Sequence, residues 1–300
     1  MEHRGHGGNR RAQRYLEHGR YGHPKLPVRP SFALSLLTSV FSVPSVLKLS
    51  FVDLGGAGKP PMIVLHGMLG SSRNWLSTGR DLAKYFHVFA LDARNHGKSP
   101  HAPEMTYEVM MTDIIAWMDG QALPKAVLVG HSMGGKTAML LACRHPERVA
   151  RLVVVDIAPK EYDWIAHRGE FLAMTELDLG RLRSRQEAEM RFEARVDNPG
   201  MRKFLATNLV QTEGRWRWQI NVPVLTAAMP ALEQNSLIPE DCFAGPTTFI
   251  LGGRSRYAED SDHDLIRRHF PAAKIEVIAG SGHNPHMDKR EEFVRLLITA

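Results

Sequence analysis

The sequence predicts an α/β fold in which helices cover both faces of a mostly parallel sheet and one long insertion interrupts the alternation. Three observations carry this. Apolar runs of four to five residues recur with almost no polar alternation, as in strands buried on both faces. Helix-like stretches separate them. Between Asp156 and Thr247, about ninety residues contain no such run.

In chain order, residues 1–45 come first and stand apart. They are rich in Arg, His, Gly and Pro, and residues 1–31 have neither helical nor strand period. Eight Lys or Arg against two acids within residues 1–48 account for the whole net charge of +6. A neutral body with a basic tail lacks the electrostatic footprint of a nucleic-acid binder. The apolar run Phe32–Leu47 is broken by Ser, Thr and Pro44, too short and too polar to span a bilayer, so no stable membrane insertion is expected. The segment reads as a basic, disordered extension. Its Arg-rich, acid-poor composition also fits a mitochondrial transit peptide, the alternative to a cytoplasmic location. Two isolated cysteines, Cys143 and Cys242, suit a reducing compartment. His3, His6, His18 and His23 lack the spacing of a metal site.

Val46–Asp53 reads as a strand at an antiparallel edge. The buried runs then follow at Met62–Leu65, Val88–Leu91, Ala126–Val129 and Leu152–Val155, with helices expected over Met105–Met118 and Gly134–Arg144. Inside the long interval, Arg181–Val196 is charged and helical in pattern, and Asn198-Pro199-Gly200 stops it. Trp164, Phe171, Trp216 and Trp218 concentrate there. Residues 159–244 therefore read as a helical cap over the strand ends, where open α/β sheets bind ligands. Two last runs, Thr248–Leu251 and Ile275–Ile278, complete a core made of 46–158 and 245–300.

The chemistry sits where strands end. Gly130-His131-Ser132-Met133-Gly134 follows one predicted strand and opens a predicted helix, the context of a nucleophile elbow. So sharp a turn strains Ser132 and presents its hydroxyl, and side chains at 130 and 134 would collide across it. The Met133 amide then lies at a helix N-terminus, where partial positive charge favours an oxyanion. His66-Gly67-Met68 follows an earlier strand, and the Met68 amide is the second expected oxyanion donor. His66 itself reads as a structural hydrogen-bonder. Gly280-Ser281-Gly282-His283 follows the last strand, where a general base falls in the order Ser, acid, His. His286 is the competing base. Its His-x-x-His spacing with Asp288 nearby is also compatible with a metal site, a reading that the elbow serine disfavours.

These motifs in this order resemble the α/β-hydrolase superfamily, and one branch closely. Asp92–Pro100 (DARNHGKSP), Gly130–Met139 (GHSMGGKTAM) and Val155–Pro159 (VDIAP) are similar to the ybfF-like esterases and their mitochondrial relatives. So are Thr207-Asn208-Leu209, Leu251-Gly252-Gly253 and the final Gly-His-x-x-His, from about residue 60 to the C-terminus. The resemblance implies cleavage of acyl esters or thioesters, with no cofactor and a small helical cap. Arg94, Asn95 and His96 lie away from the elbow in chain order and read as a self-bonded turn.

One departure concerns the acid. The slot just beyond Thr248–Leu251, where most α/β-hydrolases carry Asp, holds Ser255. Asp156, first polar residue after Leu152–Val155, is the candidate instead, with Asp260 and Asp262 behind it. The expected site is thus Ser132, His283 and Asp156, with the Met68 and Met133 amides as oxyanion hole. Leu69, Trp164 and Phe171 are expected to line the substrate pocket, with the Met68 and Met133 side chains. The partner is a small-molecule acyl ester, and the chain a monomer or homodimer. Acyltransferase or lyase chemistry, or a non-catalytic binding module on the same fold, are the alternatives.

Overall fold

A computed structural model describes residues 46–299; the basic extension lies outside the described residues. Nine strands and ten helices follow one another in this region. Strand β1 is Phe51–Asp53, β2 Pro61–Leu65, and helix α1 Leu76–Leu82 leads to β3 His87–Leu91. Helix α2 (Tyr107–Gly120) precedes β4 (Ala126–His131), and α3 (Met133–Arg144) precedes β5 (Val149–Val155). The interval contains α4 Ile165–Glu176, α5 Arg185–Arg191, α6 Pro199–Ala206, β6 Leu209–Thr212, β7 Arg215–Trp218 and α7 Val222–Glu233. The chain ends with β8 Thr247–Gly252, α8 His263–His269, β9 Ala273–Ile278, α9 Pro285–Asp288 and α10 Arg290–Thr299.

Seven strands form one sheet in the order β1-β3-β2-β4-β5-β8-β9, parallel except for β1, which pairs antiparallel with β3 at the edge. Both faces of the central strands are covered. Ile63, Leu128, Leu152 and Val154 join one apolar cluster, and Met62, Val64, Val129 and Val153 the other. That double burial is why the runs read as continuously apolar. Strand order reverses between β2 and β4, because β3 lies on the far side of β2 and the chain crosses back to β4. A crevice opens at such a switch point, outside the carboxyl ends of the strands. The loops bearing Met68 and Ser132 leave there.

The insertion differs from its expected form in two places. Arg181–Val196 is not one helix. Ser184 caps α5 by accepting from the Glu187 amide at 3.1 Å, and the end of the segment tightens into a 3-10 turn at Phe192–Ala194. The cap is also not wholly helical, since β6 and β7 pair as an antiparallel hairpin. Glu213 and Gly214 turn it with φ of 53° and 75°, the positive values that a tight two-residue hairpin requires. Among the described residues, no helix is long and apolar enough to cross a membrane.

Candidate active site

Ser132 stands between β4 and α3 with φ 51° and ψ −117°, a conformation that L residues rarely adopt. The glycines around it are required by space. A Cβ on Gly130 would overlap the Gly134 carbonyl, and one on Gly134 would come within 2.6 Å of the His66 carbonyl oxygen. Leu69 (φ 61°) and Asp156 (φ 53°) share the strained region. Three loops that face the crevice thus each hold a non-glycine residue in left-handed backbone.

The Met133 amide is the first of α3, where helix geometry supplies no acceptor. In the loop after β2, Gly70 N–H donates to Gly67 O and Leu69 N–H to His96 Nε2, while Met68 N–H has no partner among the described residues. Two N–H groups are therefore free beside Ser132, as an oxyanion hole needs.

Asp156 is wholly buried at the end of β5, next to the elbow strand. Its carboxylate accepts from three donors: the Gly252 amide at 2.8 Å, the Ser255 hydroxyl at 2.5 Å and His283 Nδ1 at 2.7 Å. With Nδ1 as donor, the imidazole keeps its Nε2 lone pair for a proton. The Ser255 slot therefore reaches the same carboxylate from β8, its hydroxyl donating to the aspartate supplied by β5. Asp260 and Asp262 are elsewhere, Asp262 paired with Lys160 at 2.6 Å.

His283 is further fixed from both sides. The Tyr257 ring stacks on it with centroids 3.7 Å apart and planes 18° off parallel. His131 Nε2–H donates to the His283 carbonyl at 2.7 Å, so the residue before Ser132 holds the loop that bears His283. His286 is buried against Trp75, rings stacked at 4.3 Å, and burial holds its pKa down to about 3. It stays neutral and lacks the carboxylate partner that His283 has.

His66 and His96 are also buried and held neutral by burial. His66 Nδ1 donates to Gly67 O while Nε2 accepts from the Ala93 amide, a purely local role. Arg94 forms a two-pronged pair with buried Asp113 at 2.7 and 2.9 Å. Asn95 accepts from the Ala102 amide and from Asn221 Nδ2. Within the turn His96 Nδ1 donates to the Arg94 carbonyl, but the three side chains reach further than their sequence suggested, Arg94 to α2, His96 to the Leu69 amide and Asn95 to the cap.

A cleft of about 440 Å³ opens over Ser132 and His283. Leu69 and Met68 line it as expected, joined by Met201, Phe204 and Met287. Trp164 and Phe171 do not line it. Both are buried in the main core cluster, because α4 turns that stripe inward and gives His167 and Glu170 to the cleft. The Met133 side chain likewise packs inward, and its contribution is its amide. Sequence reasoning missed His131, Tyr257, His167 and Glu170; for His131 alone was there a signal, its place inside the elbow motif. Among the described residues no group of three or more His, Cys, Asp or Glu could hold a metal ion.

Comparison with known proteins gives the family. Residues 60–290 match the family model of the alpha/beta hydrolase fold. The chain is 39% identical over 260 residues to the sn-1-specific diacylglycerol lipase ABHD11 of Mus musculus, spanning 84% of this chain and 83% of that protein. To Esterase YbfF of Escherichia coli it is 35% identical over 237 residues, 79% of this chain and 91% of the other. The solved structure of a marine microorganism esterase superposes with a TM-score of 0.81 at 36% identity, covering 84% of this chain and 99% of that one.

Proposed function

The chain belongs to the α/β-hydrolase fold family and is a carboxylic ester hydrolase, and on that premise we propose that Ser132, His283 and Asp156 are its catalytic triad. His283 Nε2 takes the Ser132 proton as Oγ attacks the ester carbonyl carbon. The carbonyl electron pair moves onto oxygen, which the Met68 and Met133 amides hold. When the pair returns, the alcohol leaves with the proton from His283 and the acyl group stays on Ser132. Water then repeats the sequence, losing its proton to His283, and frees the acid. Asp156 keeps the imidazole in the Nδ1–H tautomer and stabilises the imidazolium. A thioester can enter the same cycle, its thiol leaving in place of the alcohol.

The observation that carries this reading is the 2.7 Å bond from His283 Nδ1 to a buried carboxylate, with Ser132 opening to the same cleft. A fluorophosphonate probe tests it. The protein should label to one equivalent, and Ser132→Ala should abolish labelling with ester turnover down by about 10⁴-fold or more. A labelled Ala variant would remove Ser132 from the role.

A further inference from the structure

Glu170 is an unusual lining residue. Only 5% of it is exposed, yet it borders the cleft over Ser132. His167 Nδ1 donates to its Oε2 at 2.5 Å, whereas Oε1 has no hydrogen-bond partner among the described residues. Oε1 is also absent from the fully enclosed polar atoms left without a partner, so it keeps some accessible surface. A carboxylate so far withdrawn from water gains from any donor brought to it and is costly to cover with apolar surface.

The side of the cleft it faces follows from its neighbours. In the triad reading His283 hands its proton to the departing oxygen, so groups beside His283 border the leaving alcohol. Tyr257 stacks on His283. From Tyr257 a chain of ring contacts runs through Tyr162 and Trp164 to His167, with centroids 5.8, 5.8 and 5.6 Å apart, and His167 holds Glu170, which sets Glu170 on the same side. The cleft's charge is one-sided as well. Glu170 and Asp288 are its acids, and no Lys or Arg is among its described lining residues.

We propose that Glu170, oriented by His167, selects the alcohol half of the ester: an alcohol that bears a hydrogen-bond donor, a hydroxyl or an ammonium, and no negative charge. The inference rests on the ester-hydrolase reading above. Docked on Oε1, the donor satisfies a carboxylate that the substrate itself seals from water. An ester without a donor leaves that oxygen unpaired, and sites with buried polar groups discriminate strongly against such analogues. An anionic alcohol meets two carboxylates with no cation to offset it.

Four esters of one acyl chain test this: propyl, hydroxypropyl, dimethylaminopropyl and sulfopropyl. The wild type should favour the hydroxypropyl and dimethylaminopropyl esters over the propyl ester by about tenfold or more in kcat/KM, and the sulfopropyl ester should be poorest. Glu170→Gln should keep the hydroxyl preference through its amide oxygen while losing both charge effects. Glu170→Leu should bring all four ratios towards one. Fluorophosphonate labelling of Ser132 reports that each variant is folded, and if the Leu variant is not, the Gln ratios suffice. Equal rates on the four esters in the wild type, or ratios unmoved in the variants, overturn the inference while leaving the hydrolase reading intact. Failure to turn over any of the esters takes both down.

Discussion

The carboxyl edge of the sheet and the cap above it are built on different terms. At the edge, strained turns set the geometry, and short bonds between neighbouring loops close it. Ser132 and Asp156 sit in strained turns, Asp156 accepts from the Gly252 amide, and the His283 carbonyl is gripped by His131. In the cap, side chains reach across to fasten one element to another. Asn208 Nδ2 donates to the Leu69 carbonyl at 2.9 Å, and Asn221 reaches Asn95. Lys136 of α3, fully buried, donates to the carbonyls of Lys160 and Gln234, the two strands of chain that lead into and out of the cap. Burial draws its pKa down to about 7, against which the two carbonyls and the faces of Tyr107, Tyr162 and Trp164 favour the charged form. In the triad reading, chemistry lies at the edge, and the cap supplies part of the wall of the cleft. Changes at the edge should therefore act on every substrate alike, and changes in the cap on some more than others.

The largest effect is expected at the base. His283→Ala should cost nearly as much as Ser132→Ala, because residues acting as a unit are not additive. His286→Ala should cost far less. Steady-state rates on one ester decide it, and a dead His286 variant beside an active His283 variant would reverse the assignment. A smaller and selective effect is expected in the cap. Met201→Ala and Phe204→Ala cut back the apolar wall and widen the cleft, and should shift relative kcat/KM along an acyl-chain series by about tenfold. A uniform loss across the series would show that these residues act like the edge and erase the contrast.

The smallest effect is one of stability. His66, His96, His131 and His286 all have pKa values lowered chiefly by burial. Unfolded imidazoles take up protons near pH 6.5, while these four resist until lower pH. The unfolded state then binds more protons, so stability present above about pH 6.5 is lost as pH falls towards 3. His286→Phe keeps the stack on Trp75 and should make that loss shallower by about one proton. Urea unfolding over this range gives the slope, and an unchanged slope would mean that His286 is already charged in the fold.

How much of this was legible in the sequence follows the same division. The five inner strands of the main sheet lay within or beside apolar runs, because burial on both faces leaves a pattern that needs no tertiary knowledge, whereas β1 and β9 at its edges are partly exposed and were marked by their apolar residues alone. Ser132 and His283 could be found because turn chemistry and chain order are local. The identity of the acid was harder. Asp156 and Ser255 are 99 residues apart, and only the adjacency of β5 and β8 brings them to one carboxylate. In the cap, α4 has little amphipathic pattern, so nothing local told Phe171, facing the core, from Glu170, facing the cleft. The hairpin was missed although Arg215–Trp218 alternates as RWRW after Glu213-Gly214, a pattern of period two that the helical reading passed over.

The central claim is that the acid comes from β5 and that Ser255 serves it. Turnover of Asp156→Asn, measured beside Asp260→Asn and Asp262→Asn, tests this most directly. The amide preserves shape but favours the wrong imidazole tautomer, so the rate should fall by about 10³- to 10⁴-fold. The other two variants should stay within a few-fold of wild type. An Asp156→Asn enzyme that keeps wild-type turnover, or an equal collapse in either control, would contradict the account.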